Sequence, residues 1–203
     1  MTNYLLLLHG YTQNSTKFYK TITKLLSKTF LNKFIVINPN GCYIVDMKEE
    51  KYGWWKLPSP EKFSLPHQYV NFNKAVNYIQ DLLPKFKSDD TLNIISFSQG
   101  TILAEYMLVH NLFTINPQKV IMFSPSGIMD KKHKKLKTIV NSSVLVMIGE
   151  KEGVFGLSIK NYNKVSCIGN YEAHLHSQGH VVPLKSEYKH IIRKFLVRTT
   201  KKN

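Results

Sequence analysis

Cysteine and long apolar runs are both scarce in this sequence. Its two cysteines, Cys42 and Cys167, among 203 residues exclude a disulfide framework and favour a reducing compartment. No segment approaches the roughly 18 consecutive apolar residues that a membrane-spanning helix requires. The leucine run at residues 5–8 is too short for a secretory signal and lacks a basic lead-in. We therefore expect a cytoplasmic protein without a transmembrane segment.

Acidic residues are also few, since 13 Asp and Glu oppose 28 Lys and Arg and the net charge is +15. The densest basic cluster comprises Lys131, Lys132, Lys134, Lys135 and Lys137, and a second comprises Arg198, Lys201 and Lys202. Such clusters are most often solvated, and they attract anionic surfaces peripherally. No aromatic or helical reading element accompanies the lysines, so no specific nucleic-acid partner is expected.

The length and the 43% hydrophobic content predict one domain over residues 1–203, with a disordered basic tail at 199–203. Strands are predicted at 5–8, 34–37, 92–95, 120–123 and 144–148, with a short strand near Tyr171, and helices at 17–31, 68–86, 99–110 and 187–197. This alternation is typical of an α/β fold, with a mostly parallel central sheet flanked by helices on both faces. The connection at 38–66 is too long and too apolar for a simple linker.

The strand at 92–95 continues into Ser96-Phe97-Ser98-Gln99-Gly100 and then directly into a helix. A small-x-Ser-x-Gly turn between a strand and a helix holds its central serine in strained backbone geometry and exposes the hydroxyl. Ser98 is therefore the candidate nucleophile, and the Gln99 amide would point at the developing oxyanion. Ser96 stands where glycine is usual.

An acid should follow such a serine in the chain, and a histidine should follow the acid. Glu152 lies just beyond the apolar strand at 144–148, at the strand's carboxyl end, where ligand chemistry gathers in open α/β sheets. We favour Glu152 as the acid, with Glu150 and Asp130 as alternatives. His180, in a glycine-preceded turn before the last helix, is the candidate general base.

Two further histidines, His174 and His176, lie two positions apart, a spacing that a metal site could use. No cysteine or third ligand lies nearby in the sequence, so no metal site is expected.

The first strand is followed by a His-Gly turn that bends the backbone toward the nucleophile. The main-chain amide of Tyr11 would then form a two-donor oxyanion hole with that of Gln99. For His9 we favour a hydrogen-bonded structural role over a catalytic one. Trp54 and Trp55, in the long connection, either line an acyl pocket beside Ser98 or cover the sheet edge.

Five segments in this order resemble the FSH family of serine hydrolases, within the α/β-hydrolase superfamily. The segments are Leu8-His9-Gly10-Tyr11-Thr12-Gln13-Asn14, Gly53-Trp54-Trp55, Ser96-Phe97-Ser98-Gln99-Gly100, Ile148-Gly149-Glu150-Lys151-Glu152 and His176-Ser177-Gln178-Gly179-His180-Val181-Val182-Pro183. The Ser96–Gly100 turn, called the elbow below, is shared with lysophospholipases and acyl-protein thioesterases, whereas the first two segments favour the FSH group.

The resemblance implies an α/β-hydrolase fold with a minimal lid and hydrolysis of carboxylic esters or acyl thioesters without a cofactor. Ser98, Glu152 and His180 match the family's nucleophile, acid and base, although the acid is usually aspartate there. The substrate would be a small ester or thioester, and the protein a monomer or homodimer. One hypothesis is that the lysines at 131–137 draw in anionic substrates such as coenzyme A thioesters or acidic lipids.

Two alternatives stay open. The same chemistry could act on a lysophospholipid or an acyl-protein thioester, or the chain could be a catalytically inactive hydrolase-fold binding protein.

Overall fold

The structure is a computed structural model, and it describes residues 1–57, 69–153 and 157–198. The strands are β1 (Asn3–Leu8), β2 (Ile35–Ile37), β3 (Tyr43–Asp46), β4 (Lys51–Gly53), β5 (Thr91–Phe97), β6 (Lys119–Phe123), β7 (Ser143–Lys151) and β8 (Glu172–Gly179). The helices are α1 (Ser15–Leu26), α2 (Lys28–Leu31), α3 (Phe72–Leu82), α4 (Gln99–Val109), α5 (Ile159–Val165) and α6 (Ser186–Val197).

Six of the strands form one parallel sheet in the order β2-β1-β5-β6-β7-β8. The strand order reverses at β1: the chain first adds β2 on one side of β1 and later adds β5, β6, β7 and β8 in turn on the other side. Loops that leave neighbouring strands at such a switch point diverge and open a crevice at the carboxyl edge of the sheet. Leu8 of β1 pairs with Ser96 of β5, so the His-Gly turn and the serine elbow leave the sheet side by side.

Successive side chains of a strand point to opposite faces of the sheet, so the core is divided into two layers, one on each face. One layer contains Leu6, Leu8, Ile94 and Val146 with the buried faces of α3, α4 and α5. The other contains Leu5, Leu7, Ile95 and Leu145 with those of α1, α2 and α6. The strands are apolar on both faces because helices cover both, as the sequence predicts for an α/β-hydrolase fold.

The predicted helix at 17–31 is interrupted at Ser27. This residue has a φ of 68° and its hydroxyl accepts a hydrogen bond from the Phe30 amide, so it ends α1 and caps α2. The connection at 38–66 contains the antiparallel hairpin β3–β4, which the sequence analysis missed. An isolated β-bridge between Gln13 and Tyr52 attaches this hairpin to the loop that joins β1 to α1.

Other predicted boundaries also changed. The helix expected at 68–86 extends only over Phe72–Leu82, the strand expected near Tyr171 is the eight-residue β8, and α5 was not predicted. The remainder of the 38–66 connection from residue 58 onward and the basic tail at 199–203 lie outside the described residues. Across the parts of the chain that the structure describes, none of the helices has the length and apolar character needed to cross a bilayer.

A buried carboxylate on α4 holds the segment that joins α5 to β8. Glu105 is fully buried and accepts hydrogen bonds from the Cys167 amide at 2.5 Å, the Ser166 hydroxyl at 3.2 Å and the Tyr162 hydroxyl at 3.3 Å. Burial raises the pKa of Glu105 to about 7, and the hydrogen bonds offset part of that rise. Glu105 is therefore largely protonated in slightly acidic solution.

This raised pKa predicts that Glu105 contributes stability that is lost as the pH rises. Between the ordinary value of 4.5 and about 7, the unfolded chain releases the Glu105 proton while the folded chain keeps it, which costs about 3 kcal/mol of stability. Glu105→Gln, which imitates the protonated carboxyl, should abolish this dependence. Denaturant unfolding at about pH 5 and about pH 8 measures it, with exposed Glu187→Gln as the matched control. A Glu105→Gln protein that kept the wild-type pH dependence would contradict the prediction.

Candidate active site

Ser98 occupies a strained turn between β5 and α4, with φ 50° and ψ −116°. Such geometry is uncommon for a residue with a side chain and persists only where the surroundings enforce it. The start of α4 packs closely on the end of β1, since a β-carbon at Gly100 would overlap the Leu8 carbonyl. Ser96 causes no conflict, since it is buried and its hydroxyl donates to the Ile121 carbonyl of β6 at 3.2 Å.

Ser98, His180 and Glu152 form one continuous hydrogen-bonded chain. The Ser98 hydroxyl lies 2.8 Å from His180 Nε2, and His180 Nδ1 lies 2.6 Å from Glu152 Oε2. Because the carboxylate accepts from Nδ1–H, Nε2 is left as the acceptor for the serine proton. Three residues separated by 28 and 82 positions along the chain therefore meet at the carboxyl edge of the sheet.

Glu152 is held as a carboxylate by its neighbours. Burial would raise its pKa, but hydrogen bonds from His180 and from the Gly149 amide, together with the nearby Ser124 hydroxyl, lower it below the ordinary value. The Gly149 amide donates to Oε1 at 2.7 Å, while His180 uses Oε2. Each carboxylate oxygen thus has its own donor. The site therefore accommodates a glutamate, which is one methylene longer than aspartate.

The alternative acids lie elsewhere. Glu150 is exposed on β7. Asp130 is buried, where it accepts hydrogen bonds from the amides of Tyr69 and Lys132 and pairs with His133 at 3.0 Å. These positions support neither Glu150 nor Asp130 as the acid that faces His180.

The remaining β8 histidines have separate surroundings. His174 pairs with the exposed Glu172 at 2.8 Å. His176 is buried against Tyr188, and burial lowers its pKa. Within residues 1–57, 69–153 and 157–198, no three His, Cys, Asp or Glu side chains come together as metal ligands would.

Two main-chain amides are available beside Ser98. A β-carbon on Gly10 would lie 3.3 Å from that of Ser98, so the His-Gly turn passes directly against the elbow. Among the described residues, the amides of Tyr11 and Gln99 donate to no protein acceptor. Unpaired donors of this kind next to a serine hydroxyl are suited to hold an oxyanion.

His9 controls the orientation of the first of these amides. The Gly41 amide donates to His9 Nε2 at 2.9 Å, so the ring proton is on Nδ1 and donates to the Gly10 carbonyl at 2.8 Å. That carbonyl belongs to the same peptide group as the Tyr11 N–H, and it also accepts from the Gln13 amide at 3.2 Å. Burial lowers the pKa of His9 to about 4, which keeps the ring neutral and this peptide fixed. The structural role expected for His9 thus serves the site.

The sequence matches the family Serine hydrolase (FSH1) over residues 1–192. The chain belongs to this serine hydrolase family. No curated protein matches the chain significantly.

Solved structures share the α/β-hydrolase fold. A carboxylesterase from Mesorhizobium loti superposes with a TM-score of 0.68 at 14% identity, covering 96% of this chain and 88% of the other. A carboxylesterase from Bacillus cereus gives 0.63 at 15%, covering 95% and 88%. Acyl-protein thioesterase 2 from Zea mays gives 0.63 at 16%, covering 96% and 92%. At such identities the likeness shows the fold alone.

Within this serine hydrolase, the tryptophans belong to the core. Trp54 is 0% and Trp55 1% exposed, so neither offers surface to an acyl group, and the structure favours their packing role. The Trp54 indole N–H donates to the His9 carbonyl at 2.8 Å, while Trp55 packs against Tyr69 and Phe72.

The side chain of Gln99 joins the tryptophan segment to the elbow. Its Oε1 accepts from the Trp54 amide at 2.9 Å and its Nε2 donates to the Trp55 carbonyl at 2.8 Å. The sequence predicted a role only for the main-chain amide of Gln99. A buried polar side chain directly after the nucleophile was the signal for this second role, but its partners lie 45 and 44 residues away.

The basic cluster at 131–137 does not adjoin Ser98. Lys135 Nζ donates to the Val109 carbonyl at 2.8 Å, at the far end of α4 from the elbow. An 11-residue helix is about 16 Å long. The position therefore argues against the hypothesis that this cluster delivers anionic substrates directly to the nucleophile.

Proposed function

We propose that this protein hydrolyses carboxylic esters or acyl thioesters through a covalent acyl-enzyme. Ser98 is the nucleophile, His180 the general base and acid, and Glu152 the residue that orients the imidazole. The amides of Tyr11 and Gln99 are the oxyanion donors. The hydrogen-bonded chain from Ser98 through His180 to Glu152 is the observation that carries the proposal.

In acylation, His180 Nε2 takes the proton of the Ser98 hydroxyl as Oγ bonds to the substrate carbonyl carbon. The electron pair of the carbonyl moves onto its oxygen, where the two amides stabilise it. When this intermediate collapses, the bond to the leaving group breaks. The departing alcohol or thiol takes the proton from His180 and leaves an acyl ester on Ser98.

Deacylation repeats these steps with water as the nucleophile. His180 removes a proton from water while the water oxygen bonds to the acyl carbon, and the same amides hold the second oxyanion. The bond to Ser98 Oγ then breaks, Oγ takes its proton back from His180, and the carboxylic acid leaves. Throughout, Glu152 stabilises the protonated imidazole and its tautomer without taking the proton itself.

The residues that follow His180 favour an apolar acyl group. Val181 is 41% and Leu184 36% exposed, and both are within four residues of the base. These side chains supply solvent-accessible apolar surface on the segment that follows the base, whereas Trp54 and Trp55 supply none.

Fluorophosphonate labelling with location of the modified peptide by mass spectrometry tests the proposal. We expect one label, on Ser98, because the probe reacts with a serine whose proton a neighbouring base removes. Ser98→Ala should abolish labelling.

Ser177→Ala is the matched control. Ser177 is exposed on β8, three positions before His180, and its hydroxyl accepts from Lys185 Nζ at 3.2 Å, so no base activates it and this variant should label like the wild type. A folded wild-type protein that stayed unlabelled would instead support the inactive binding-protein alternative.

A further inference from the structure

The basic loop, defined as residues 131–139, exposes apolar side chains among its lysines. Leu136 is 88% and Ile139 79% exposed, and among the described residues no other large apolar side chain is as exposed as Leu136. Ile139 is three positions after Leu136, so their α-carbons are at most about 11 Å apart. Lys132 and Lys134 are exposed in the same loop.

The backbone that carries these side chains is attached to the rest of the fold. Lys135 binds the end of α4, and Lys137 Nζ donates to the Asn163 carbonyl of α5 at 3.0 Å. Thr138 pairs through its amide with the Cys167 carbonyl and through its carbonyl with the Gly169 amide, each at 2.7 Å. The exposure of Leu136 and Ile139 is therefore a property of the folded loop.

Little negative charge opposes these lysines. Asp130 is the only acidic residue between Glu105 and Glu150 in the sequence. Its carboxylate is buried and occupied by two amides and His133. The loop thus presents positive charge together with apolar surface, the combination that binds anionic membranes peripherally.

We propose that the basic loop docks this protein onto an anionic lipid bilayer. The exposed Lys131, Lys132 and Lys134 pair with the lipid headgroups while Leu136 and Ile139 enter the boundary between headgroups and acyl chains. Nucleic acid is less well matched, because residues 131–139 contain no Phe, Tyr or Trp on which a base could stack. Apolar side chains would also gain nothing from a phosphate backbone.

Docking in this way places the bilayer against a loop that contacts the end of α4 opposite Ser98. The loop contacts the Val109 end of α4, about 16 Å from the Ser98 end. Turnover of a water-soluble ester should therefore be the same with and without saturating vesicles. This inference does not depend on the proposed chemistry, since binding is measured separately.

Vesicle co-sedimentation of the full chain tests the inference. Phosphatidylcholine vesicles are compared with vesicles of three parts phosphatidylcholine to one part phosphatidylserine, at low and high ionic strength. We expect binding to the anionic vesicles that weakens with salt. Lys132→Gln/Lys134→Gln should weaken it about 25-fold, at roughly fivefold per lysine, and Leu136→Ser/Ile139→Ser about tenfold or more.

Matched controls remove the same groups elsewhere. Lys20→Gln/Lys24→Gln takes two exposed lysines from α1 on the other face of the sheet. Met47→Ser removes a side chain that is 64% exposed in the β3–β4 hairpin. Both should bind like the wild type, and unchanged thermal unfolding would show that all variants fold.

Three results would overturn the inference. The first is an absence of binding to anionic vesicles by the folded wild type. The second is an equal loss in the α1 lysine control. The third is undiminished binding by Leu136→Ser/Ile139→Ser, which would leave charge alone as the cause and direct attention to a polyanion such as RNA.

Discussion

Ser98→Ala should lower kcat for an ester substrate by about 10⁶-fold, and His180→Ala by about as much. The reason lies in the 2.8 Å contact between the Ser98 hydroxyl and His180 Nε2. The hydroxyl is a weak nucleophile until the imidazole takes its proton. Without the hydroxyl, the imidazole has no serine proton to pass to the leaving group. The two residues act as one unit.

Non-additivity is the decisive test of this unit. The Ser98→Ala/His180→Ala double variant should be no slower than either single variant, because each already removes the whole covalent route. Steady-state kinetics on a p-nitrophenyl ester, with protein free of contaminating esterases, measures all three. Losses that multiplied in the double variant would mean that the two side chains contribute independently.

Glu152→Gln should lower kcat by about 10⁴-fold with little change in KM. An amide at this position offers one acceptor and one donor, whereas the carboxylate accepts from both His180 and the Gly149 amide. One of these contacts must then place a donor against a donor. The imidazole would lose its orientation, and its charged form would lose the carboxylate that stabilises it.

Glu152→Asp separates charge from position. It keeps the carboxylate but withdraws it by one methylene, so it cannot keep both contacts without movement, and a loss of about 10² is expected. Glu150→Gln, on the exposed neighbour, should leave kcat unchanged. An active Glu152→Gln together with an inactive Glu150→Gln would reassign the acid.

The pH dependence of stability gives an independent readout for Glu152. Because its folded pKa lies below the ordinary value of 4.5, its contribution to stability is present above that value. This contribution is lost as the pH falls through the folded pKa. Glu152→Gln should therefore lose less stability than the wild type on acidification, whatever its effect on turnover.

Features set by neighbours in the chain were predictable from the sequence. The elbow at Ser98 depends on small residues two positions away and on a strand that leads directly into a helix. The order of serine, acid and histidine likewise survives in the linear sequence. Apolar runs predicted a parallel sheet because strands covered on both faces are apolar on both sides.

Features set by contacts between distant residues were not predictable. The acid remained open among Glu152, Glu150 and Asp130 until the fold placed one carboxylate 2.6 Å from a histidine 28 residues away. The tryptophans could equally have lined a pocket or covered the sheet, and only their burial favours the second. Ser27 interrupts a segment predicted as one helix, and the β3–β4 hairpin forms within a segment predicted as an irregular connection.

The sequence by itself therefore determined the fold class and identified the candidate nucleophile and the candidate base, because local backbone strain and strand periodicity are properties of neighbouring residues. Only the tertiary structure decided which carboxylate faces His180, how His9 orients the Tyr11 amide, and that the basic loop lies at the opposite end of α4 from Ser98. Each of these depends on a distance between segments that the chain brings together only when it folds.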